Sequence, residues 1–236
     1  MPSKTKLQND HFTNQEIELL KTLDTPQKIQ DYLDTMPPNF EPNGDECRSP
    51  LTAMRTNTAH CIEAAMFGAM VLHLHGHKAL LVDLTANTKD DDHVLAVFKK
   101  NGLWGAIAKS NHYCNGYRDP VYKSIRELVM SYFHEYLNYA GEKTLRSYAG
   151  PLDLSKYDKQ HWMTSSKDVW VIPKALVALP HKRLFTRNQE RYLRHADEFL
   201  RRVNNIPRFE YNSKTNSSKP FLPPYGIDRE KGSKNM

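Results

Sequence analysis

The sequence has few cysteines and no long apolar run, and these two shortages exclude several classes of protein. Its three cysteines, Cys47, Cys61 and Cys114, are odd in number and widely spaced, which is a poor framework for disulfides. No two of them have the CxxC spacing of a zinc ribbon. The longest apolar stretch, residues 64–74, falls far short of the ~20 residues that a membrane-spanning helix needs. The first dozen residues contain no apolar signal segment, so the sequence predicts a cytoplasmic protein with reduced thiols.

Positive charge is concentrated near the C-terminal end of the chain. The formal net charge is +6, and residues 182–236 hold 13 of the 33 Lys and Arg residues but only 6 of the 27 Asp and Glu residues. The remainder of the chain is therefore close to neutral. A basic segment of this kind attracts nucleic acid or an acidic partner, unless it is simply a solvated helix and tail.

Length and composition predict one folded domain. A chain of 236 residues can bury a large core without a disulfide or a structural metal. We place this domain at residues 13–205, after a flexible N-terminus at residues 1–12. Residues 206–236 are rich in Ser, Asn, Lys and Pro and predict a mostly disordered basic tail.

The first half of the chain predicts helices followed by a small sheet. Two short helices are expected at residues 15–23 and 27–35, and residues 37–58 have the composition of a long loop. The run AHCIEAAMFGAMVLHLHG, residues 59–76, is apolar nearly all round, which is typical of a buried helix. Three strands, at residues 78–85, 93–98 and 103–108, are separated by short turns and predict an antiparallel meander. The fold class is therefore α+β, with the apolar helix packed on an antiparallel sheet.

The second half of the chain gives weaker signals. Apolar and aromatic residues recur at helical spacing over residues 121–139 and again over residues 188–203, which predicts a helix at each place. Between them, the segment DVWVIP, residues 168–173, predicts a short strand.

Cys61 stands in the first turn of the apolar helix. The N-terminal end of a helix carries partial positive charge and unpaired N–H groups, which favour a thiolate over a thiol. The same N–H groups can hold the oxyanion of a tetrahedral intermediate. Cys61 is therefore the candidate nucleophile, although a small buried hydrophobic role is the common alternative for a free cysteine.

A thiol nucleophile needs a base, and His93 is the best candidate among the 11 histidines. It opens the second strand of the meander directly after the acidic turn at residues 89–92. The base in turn needs an orienting group, and the third strand ends at Ser110 and Asn111. Either side chain can accept a hydrogen bond from an imidazole, and the sequence does not decide between them.

The motifs HCIEAA, DDDHV and WGAIAKSNH, in this order, resemble those of the transglutaminase-like superfamily and, more narrowly, of a bacterial family of unassigned function. The resemblance covers about residues 48–155. It implies a papain-like core in which Cys61 is the nucleophile and His93 the base. The superfamily usually has Asp at the third position, where this chain offers Ser110 or Asn111.

Two further residues are candidates for substrate contact. Arg55 lies in the loop before the nucleophile and can bind an acidic group or tie down the loop, and Trp104 lies on the third strand. Neither a cofactor nor a metal site is predicted. His73, His75 and His77 have no carboxylate or cysteine at ligand spacing.

The sequence leaves two functions open. The first is a cysteine-dependent acyl-transfer enzyme acting on a protein, peptide or small amide, with water or an amine as acceptor. The second is a catalytically inactive module of the same fold that binds nucleic acid or an acidic partner through residues 182–236.

Overall fold

The computed structural model describes residues 11–42, 44–112 and 115–221. It combines helices with a six-stranded sheet in which every neighbouring pair is antiparallel. The α+β class predicted from the sequence is confirmed. Within the described ranges, none of the helices has both the length and the apolar character needed to cross a bilayer.

Eight α-helices and one 3-10 helix occur among the described residues. In chain order the α-helices are α1 (Asn14–Thr22), α2 (Pro26–Thr35), α3 (Pro50–Thr56), α4 (Cys61–Leu74), α5 (Ile125–Met130), α6 (Val171–Ala178), α7 (Arg187–Glu190) and α8 (Glu198–Asn204). The 3-10 helix spans Leu154–Gln160.

The strands form one large sheet and one hairpin. They are β1 (Leu80–Ala86), β2 (His93–Lys100), β3 (Leu103–Ile107), β4 (Arg118–Tyr122), β5 (Leu145–Asp153), β6 (Lys182–Arg183), β7 (Phe209–Asn212) and β8 (Ser217–Pro220). The order in the sheet is β4-β3-β2-β1-β5-β6, and β7 pairs with β8 separately. The expected meander of β1, β2 and β3 therefore forms the middle and one side of the sheet.

The apolar helix α4 lies on one face of the sheet. Every residue from Ile62 to Leu72 is buried, as its nearly continuous apolar sequence predicts. A Cβ atom on Gly68 would lie only 3.2 Å from Ile107 and 3.3 Å from Ala96, so glycine allows the helix to approach β2 and β3 closely. Gly76, with φ of +88°, follows the last turn and lets the chain turn into β1.

The opposite face of the sheet is covered by α5 and the turns that follow it. Side chains of β1 and β2 alternate between the two faces, so that Leu81 and Ala96 belong to the core under α4 while Val82 and Leu95 belong to the other core. Because both faces are covered, the strands are buried on both sides.

The segment predicted as one helix over residues 121–139 has a different structure. Residues 118–122 form β4 on the edge of the sheet, α5 occupies only Ile125–Met130, and turns follow. Ser124 ends the strand and caps α5 by accepting a hydrogen bond from the Glu127 amide. The aromatic residues Tyr132, Phe133 and Tyr136 are still buried, so the pattern indicated burial correctly but not the backbone geometry.

The second half also contains one strand that was not predicted, and two further predictions for it are wrong. β5 was not predicted, although it pairs with β1 from Leu80 to Ala86. Residues 171–178 form a helix instead of the short strand expected at 168–173, since Ile172 and Leu176 face the core at helical spacing. The helix expected at residues 188–203 is divided into α7 and α8, with Asp197 capping the second of them.

The C-terminal segment is more ordered than its composition predicts. Residues 206–221 are described, and the β7–β8 hairpin lies where a mostly disordered tail was expected. Phe209 is buried, and its backbone N–H and C=O both bond to the side chain of Asn111. Contact with the rest of the fold through Phe209 therefore holds residues 206–221 in place, although this segment has few apolar residues of its own. The expectations for residues 1–10 and 222–236 lie outside the described residues.

Two glycines with positive φ make a matched pair for testing the packing of β5 on β1. Gly150, with φ of +106°, would place a Cβ atom 2.7 Å from the Leu81 carbonyl oxygen, whereas the site of a Cβ atom on Gly76 is open. Gly76→Ala should lower the free energy of unfolding by about 1–2 kcal/mol through backbone strain alone. Gly150→Ala should cost at least about 1 kcal/mol more, because a backbone atom must move. Urea denaturation measures both, and equal losses would show that β5 does not approach β1 this closely.

Candidate active site

Cys61 lies at the wall of a cleft of about 270 Å³. It is the first residue of α4 and is partly exposed, whereas the residues after it are buried. The cleft is built from segments far apart in the sequence, namely residues 38–40, 59–61, 90–93, 109–112, 136–139 and 204–205 together with Asn115. A substrate that enters this cleft therefore reaches the N-terminal end of α4, where the first N–H groups of a helix have no partner within the helix itself.

His93 is buried at the head of β2 and contacts the thiol. Its Nε2 lies 3.1 Å from the carbonyl oxygen of Asn115. A carbonyl oxygen only accepts hydrogen bonds, so Nε2 carries a proton and Nδ1 is the atom of the neutral ring that can take one. The ring lines the same cleft as Cys61 and lowers the pKa of its thiol. The structure thus brings together the nucleophile and the base that the sequence predicted.

His60 is a second imidazole beside the thiol, and it was not predicted from the sequence. It precedes Cys61 directly, and its Nε2 donates a hydrogen bond to the Glu46 carbonyl oxygen at 2.9 Å. Carboxylate oxygens of Glu41 and Glu63 lie 3.7 and 3.8 Å from the same nitrogen. Burial opposes protonation of this ring, but its bond to Cys61 and the charge of Glu63 raise its pKa to about 9. The signal in the sequence was the adjacency of His60 to Cys61.

The two histidines change the acidity of the Cys61 thiol. Burial disfavours the thiolate and raises the pKa, but hydrogen bonds from His60 and His93 outweigh this effect and lower the pKa to about 6. Cys47 gives the contrast within the same chain. Burial and the nearby charge of Glu63 raise the pKa of that thiol to about 12. Cys61 is therefore ionised at neutral pH, and Cys47 is not.

Ser110 and Asn111 line the cleft but form other hydrogen bonds. The Asn111 side chain bonds to the backbone of Phe209, with distances of 2.9 and 3.2 Å, and the Ser110 hydroxyl accepts a bond from the His112 amide at 3.0 Å. His93 is oriented instead by the hydrogen bond that its Nε2 donates to the Asn115 carbonyl oxygen. A backbone carbonyl thus orients His93 in place of the expected side chain, and a motif of side chains cannot predict such a partner.

Arg55 and Trp104, the candidates for substrate contact, lie away from the cleft. Arg55 pairs with Glu16 at 2.7 Å and donates to the His11 carbonyl at 2.8 Å, so it ties α3 to the N-terminal segment. Trp104 lies near the far end of β3, where the ammonium group of Lys99 sits 4.6 Å from the centre of its ring. The cavity that Trp104 lines does not include Cys61 or His93.

A buried ion pair holds the residues before α3 against the start of α4. The Glu63 carboxylate has no exposed area and accepts bonds from the Arg48 backbone N–H at 2.9 Å and from the Arg48 guanidinium at 2.8 and 3.0 Å. The His60 backbone N–H donates to it as well, at 3.1 Å. Burial raises the pKa of Glu63, but these bonds and the charges of His60 and Arg48 lower it below the ordinary value.

The acidic turn before His93 is held by specific contacts. Tyr136 donates its hydroxyl to the Asp91 carbonyl oxygen at 2.7 Å, Thr144 bonds to the Asp90 carboxylate, and Asp92 accepts from the Ala86 amide at 2.7 Å. These contacts fix the entry into β2 and so the position of the His93 ring. Over the described ranges, no group of three or more His, Cys, Asp and Glu residues is arranged to hold a metal ion.

Comparison with known proteins adds no family assignment. No protein-family model matches the chain, and no curated protein matches it. The geometry of the cleft is therefore the basis for inferring a function.

The Arg48–Glu63 pair can be tested by its effect on stability. Arg48→Met should lower the free energy of unfolding by about 3–5 kcal/mol, because it leaves the Glu63 carboxylate buried without its partner. The double variant Arg48→Met/Glu63→Met should be more stable than this single variant, since no charge remains buried. Arg55→Met, which removes a half-exposed pair, is the control and should cost about 1 kcal/mol or less. Chemical denaturation compares the three, and similar losses for both arginines would contradict the buried pair.

Proposed function

We propose that the protein is a cysteine-dependent acyl-transfer enzyme in which Cys61 is the nucleophile and His93 the general acid and base. The observation that carries this proposal is a thiol in the first turn of a helix that shares an open cleft with an oriented imidazole, and this imidazole lowers the pKa of the thiol. A cysteine with only a packing role has a raised pKa, as Cys47 does.

The first half of the reaction acylates Cys61. The thiolate sulfur attacks the carbonyl carbon of an amide or ester, and the carbonyl oxygen becomes an oxyanion that the backbone N–H of Cys61 stabilises. The carbon–nitrogen or carbon–oxygen bond then breaks. Protonated His93 gives its Nδ1 proton to the leaving amine or alcohol, which leaves a thioester on Cys61 and a neutral imidazole.

The second half of the reaction releases the acyl group. Neutral His93 takes a proton from the acceptor, which attacks the thioester carbonyl, and the sulfur leaves as thiolate. Water as acceptor gives hydrolysis of a peptide or small amide, and an amine gives transamidation. The imidazolium beside the thiolate restores the starting state.

The papain-like core implied by the transglutaminase-like resemblance is part of the proposal. A helix that presents cysteine in its first turn, an antiparallel sheet behind it and a histidine opening a strand all support it. The orienting group differs from the expected side chain, because Asn115 supplies a backbone carbonyl. A neutral carbonyl fixes the tautomer of His93 without a carboxylate. A reduced thiol suits the cytoplasm, which we propose as the compartment.

The alternative of an inactive binding module receives less support. Binding of an acidic partner through residues 182–236 would need basic side chains that are not already paired. Several of them form ion pairs with acidic side chains of the same chain. Arg183 pairs with Glu190, Arg202 with Glu198, Arg208 with Asp34 at 2.7 Å and Lys219 with Glu210 at 3.0 Å. We therefore favour the enzyme.

The nucleophile can be tested by alkylation with iodoacetamide between pH 5 and 9. A Cys114→Ser background leaves Cys47 and Cys61, and peptide mass spectrometry assigns the modified residue. Alkylation of Cys61 should rise with a midpoint near pH 6, in line with its lowered pKa, while the native protein keeps Cys47 unmodified. His93→Gln should raise the midpoint by about one pH unit or more, because one of the two hydrogen bonds to the thiolate loses its cationic donor.

Turnover can be followed with p-nitrophenyl acetate. The protein should release a stoichiometric burst of p-nitrophenol and carry an acetyl group on Cys61, and Cys61→Ala should abolish both. His93→Gln should slow the release of the acetyl group more than 100-fold, the usual contribution of a general base. An inert Cys61, or a burst that survives Cys61→Ala, would exclude the proposed enzyme. With hydroxylamine added, formation of acetohydroxamate in place of acetate indicates that the acetyl-enzyme accepts an amine.

A further inference from the structure

We propose that the two imidazoles beside Cys61 have separate roles, His60 being a fixed cation that stabilises the thiolate while His93 alone transfers protons. This inference rests on the proposed function, since it assigns a role at the same sulfur. It is carried by the different surroundings of the two rings.

His60 is enclosed by groups that favour its protonated form. Its side chain is only 19% exposed, and its Nε2 faces the Glu46 carbonyl and the carboxylates of Glu41 and Glu63 within 3.8 Å. Glu46 also presents its carboxylate nearby, 3.4 Å from Arg48. Two carboxylates thus lie within 3.8 Å of the His60 ring, and a third lies beside the Arg48 guanidinium that pairs with Glu63. A protonated His60 reduces the remaining negative charge.

Among the described residues, no carboxylate is bonded to the His93 ring. The ring bonds instead to the Asn115 carbonyl, a neutral acceptor that orients it in either protonation state. A ring held in this way can gain and lose a proton without breaking an ion pair. A ring held between Glu41 and Glu63 cannot do so as readily, because deprotonation removes a positive charge that lies within 3.8 Å of both carboxylates.

Other titratable groups face the same space and must be distinguished from His60. They are Asp90, Asp91 and Asp92 from the turn before β2, Lys109 and His112 after β3, and Tyr136 and Tyr139 after α5. Lys109 matters most among these, because burial lowers its pKa to about 8. Its ammonium group donates to the carbonyls of Leu33 and Met36, at the end of α2.

A pair of reagents that differ only in charge measures the charge of His60 directly. Iodoacetate is an anion and iodoacetamide is neutral. The rate constant of iodoacetate divided by that of iodoacetamide at Cys61 therefore reports the local electrostatic potential. The fraction of Cys61 present as thiolate affects both rate constants equally and cancels from this ratio. At pH 7.5 the ratio should fall roughly 10-fold in His60→Gln, the expected effect of removing one charge a few ångströms from the incoming carboxylate. In the wild-type protein the ratio should fall as the pH rises through about 9, where His60 loses its proton.

The variants separate this inference from the proposed function. His93→Gln should keep the fall of the ratio near pH 9, and His60→Gln should lose it. His60→Gln should also raise the midpoint of Cys61 alkylation toward the ordinary thiol pKa of ~8.5 while p-nitrophenyl acetate still acylates the thiol. An unreactive Cys61 contradicts the proposed function. A reactive Cys61 whose reagent ratio is unchanged in His60→Gln contradicts only the role of His60.

A second substitution keeps the test valid if His60→Gln does not fold, which circular dichroism would show. Glu41→Gln removes one of the carboxylates near His60 without touching the thiol, and glutamine retains an oxygen for the Glu46 amide, which donates to Glu41 at 2.8 Å. The fall of the reagent ratio should move to lower pH in this variant. If it stays near pH 9, the carboxylates around His60 do not hold its proton and the inference is wrong. A fall near pH 8 that is unchanged in Glu41→Gln belongs to Lys109 and also contradicts the inference.

Discussion

The carboxylate of Glu63 is buried in the first turn of α4, and the candidate site is organised by the hydrogen bonds that this charge requires. They come from the backbone and guanidinium of Arg48 and from the backbone of His60. Leaving such a charge unpaired costs several kcal/mol, so the residues before α3 are held against the start of α4. The Glu46 carbonyl that binds the His60 ring belongs to the same held segment.

The burial of α4 decides which of its residues can react. From Ile62 to Leu72 the helix is enclosed by the sheet and by other helices, and only its first turn opens to the cleft. Cys61 is therefore the position at which the partial positive charge of the helix end, unpaired N–H groups and access for a substrate coincide. The packing of the core therefore also determines which thiol can react, since a helix that is buried on all sides exposes only its end to a substrate.

Both imidazoles beside the thiol are oriented by backbone carbonyls, from Asn115 and from Glu46. A carbonyl fixes which nitrogen carries the proton and adds no charge, so the difference between the two rings comes from the carboxylates, which lie next to His60. The cleft can therefore keep a cation next to the thiolate and a separate group for proton transfer. A single imidazole would have to perform both tasks.

The sequence by itself determined the local features: the buried helix with Cys61 in its first turn, the strand that opens with His93, and the antiparallel meander. These depend on periodicity, turns and helix ends, which are properties of neighbouring residues. Residues 121–139 could not be predicted in this way, because pairing with β3 drew part of them into a strand. Likewise, Ser110 or Asn111 was expected at His93, but Ser110 bonds to the His112 amide and Asn111 to Phe209. The Asn115 backbone carbonyl binds the His93 ring instead. Only the tertiary structure decided these partners. Every residue has a backbone carbonyl, so the sequence does not indicate which carbonyl will lie beside a given side chain in the folded protein.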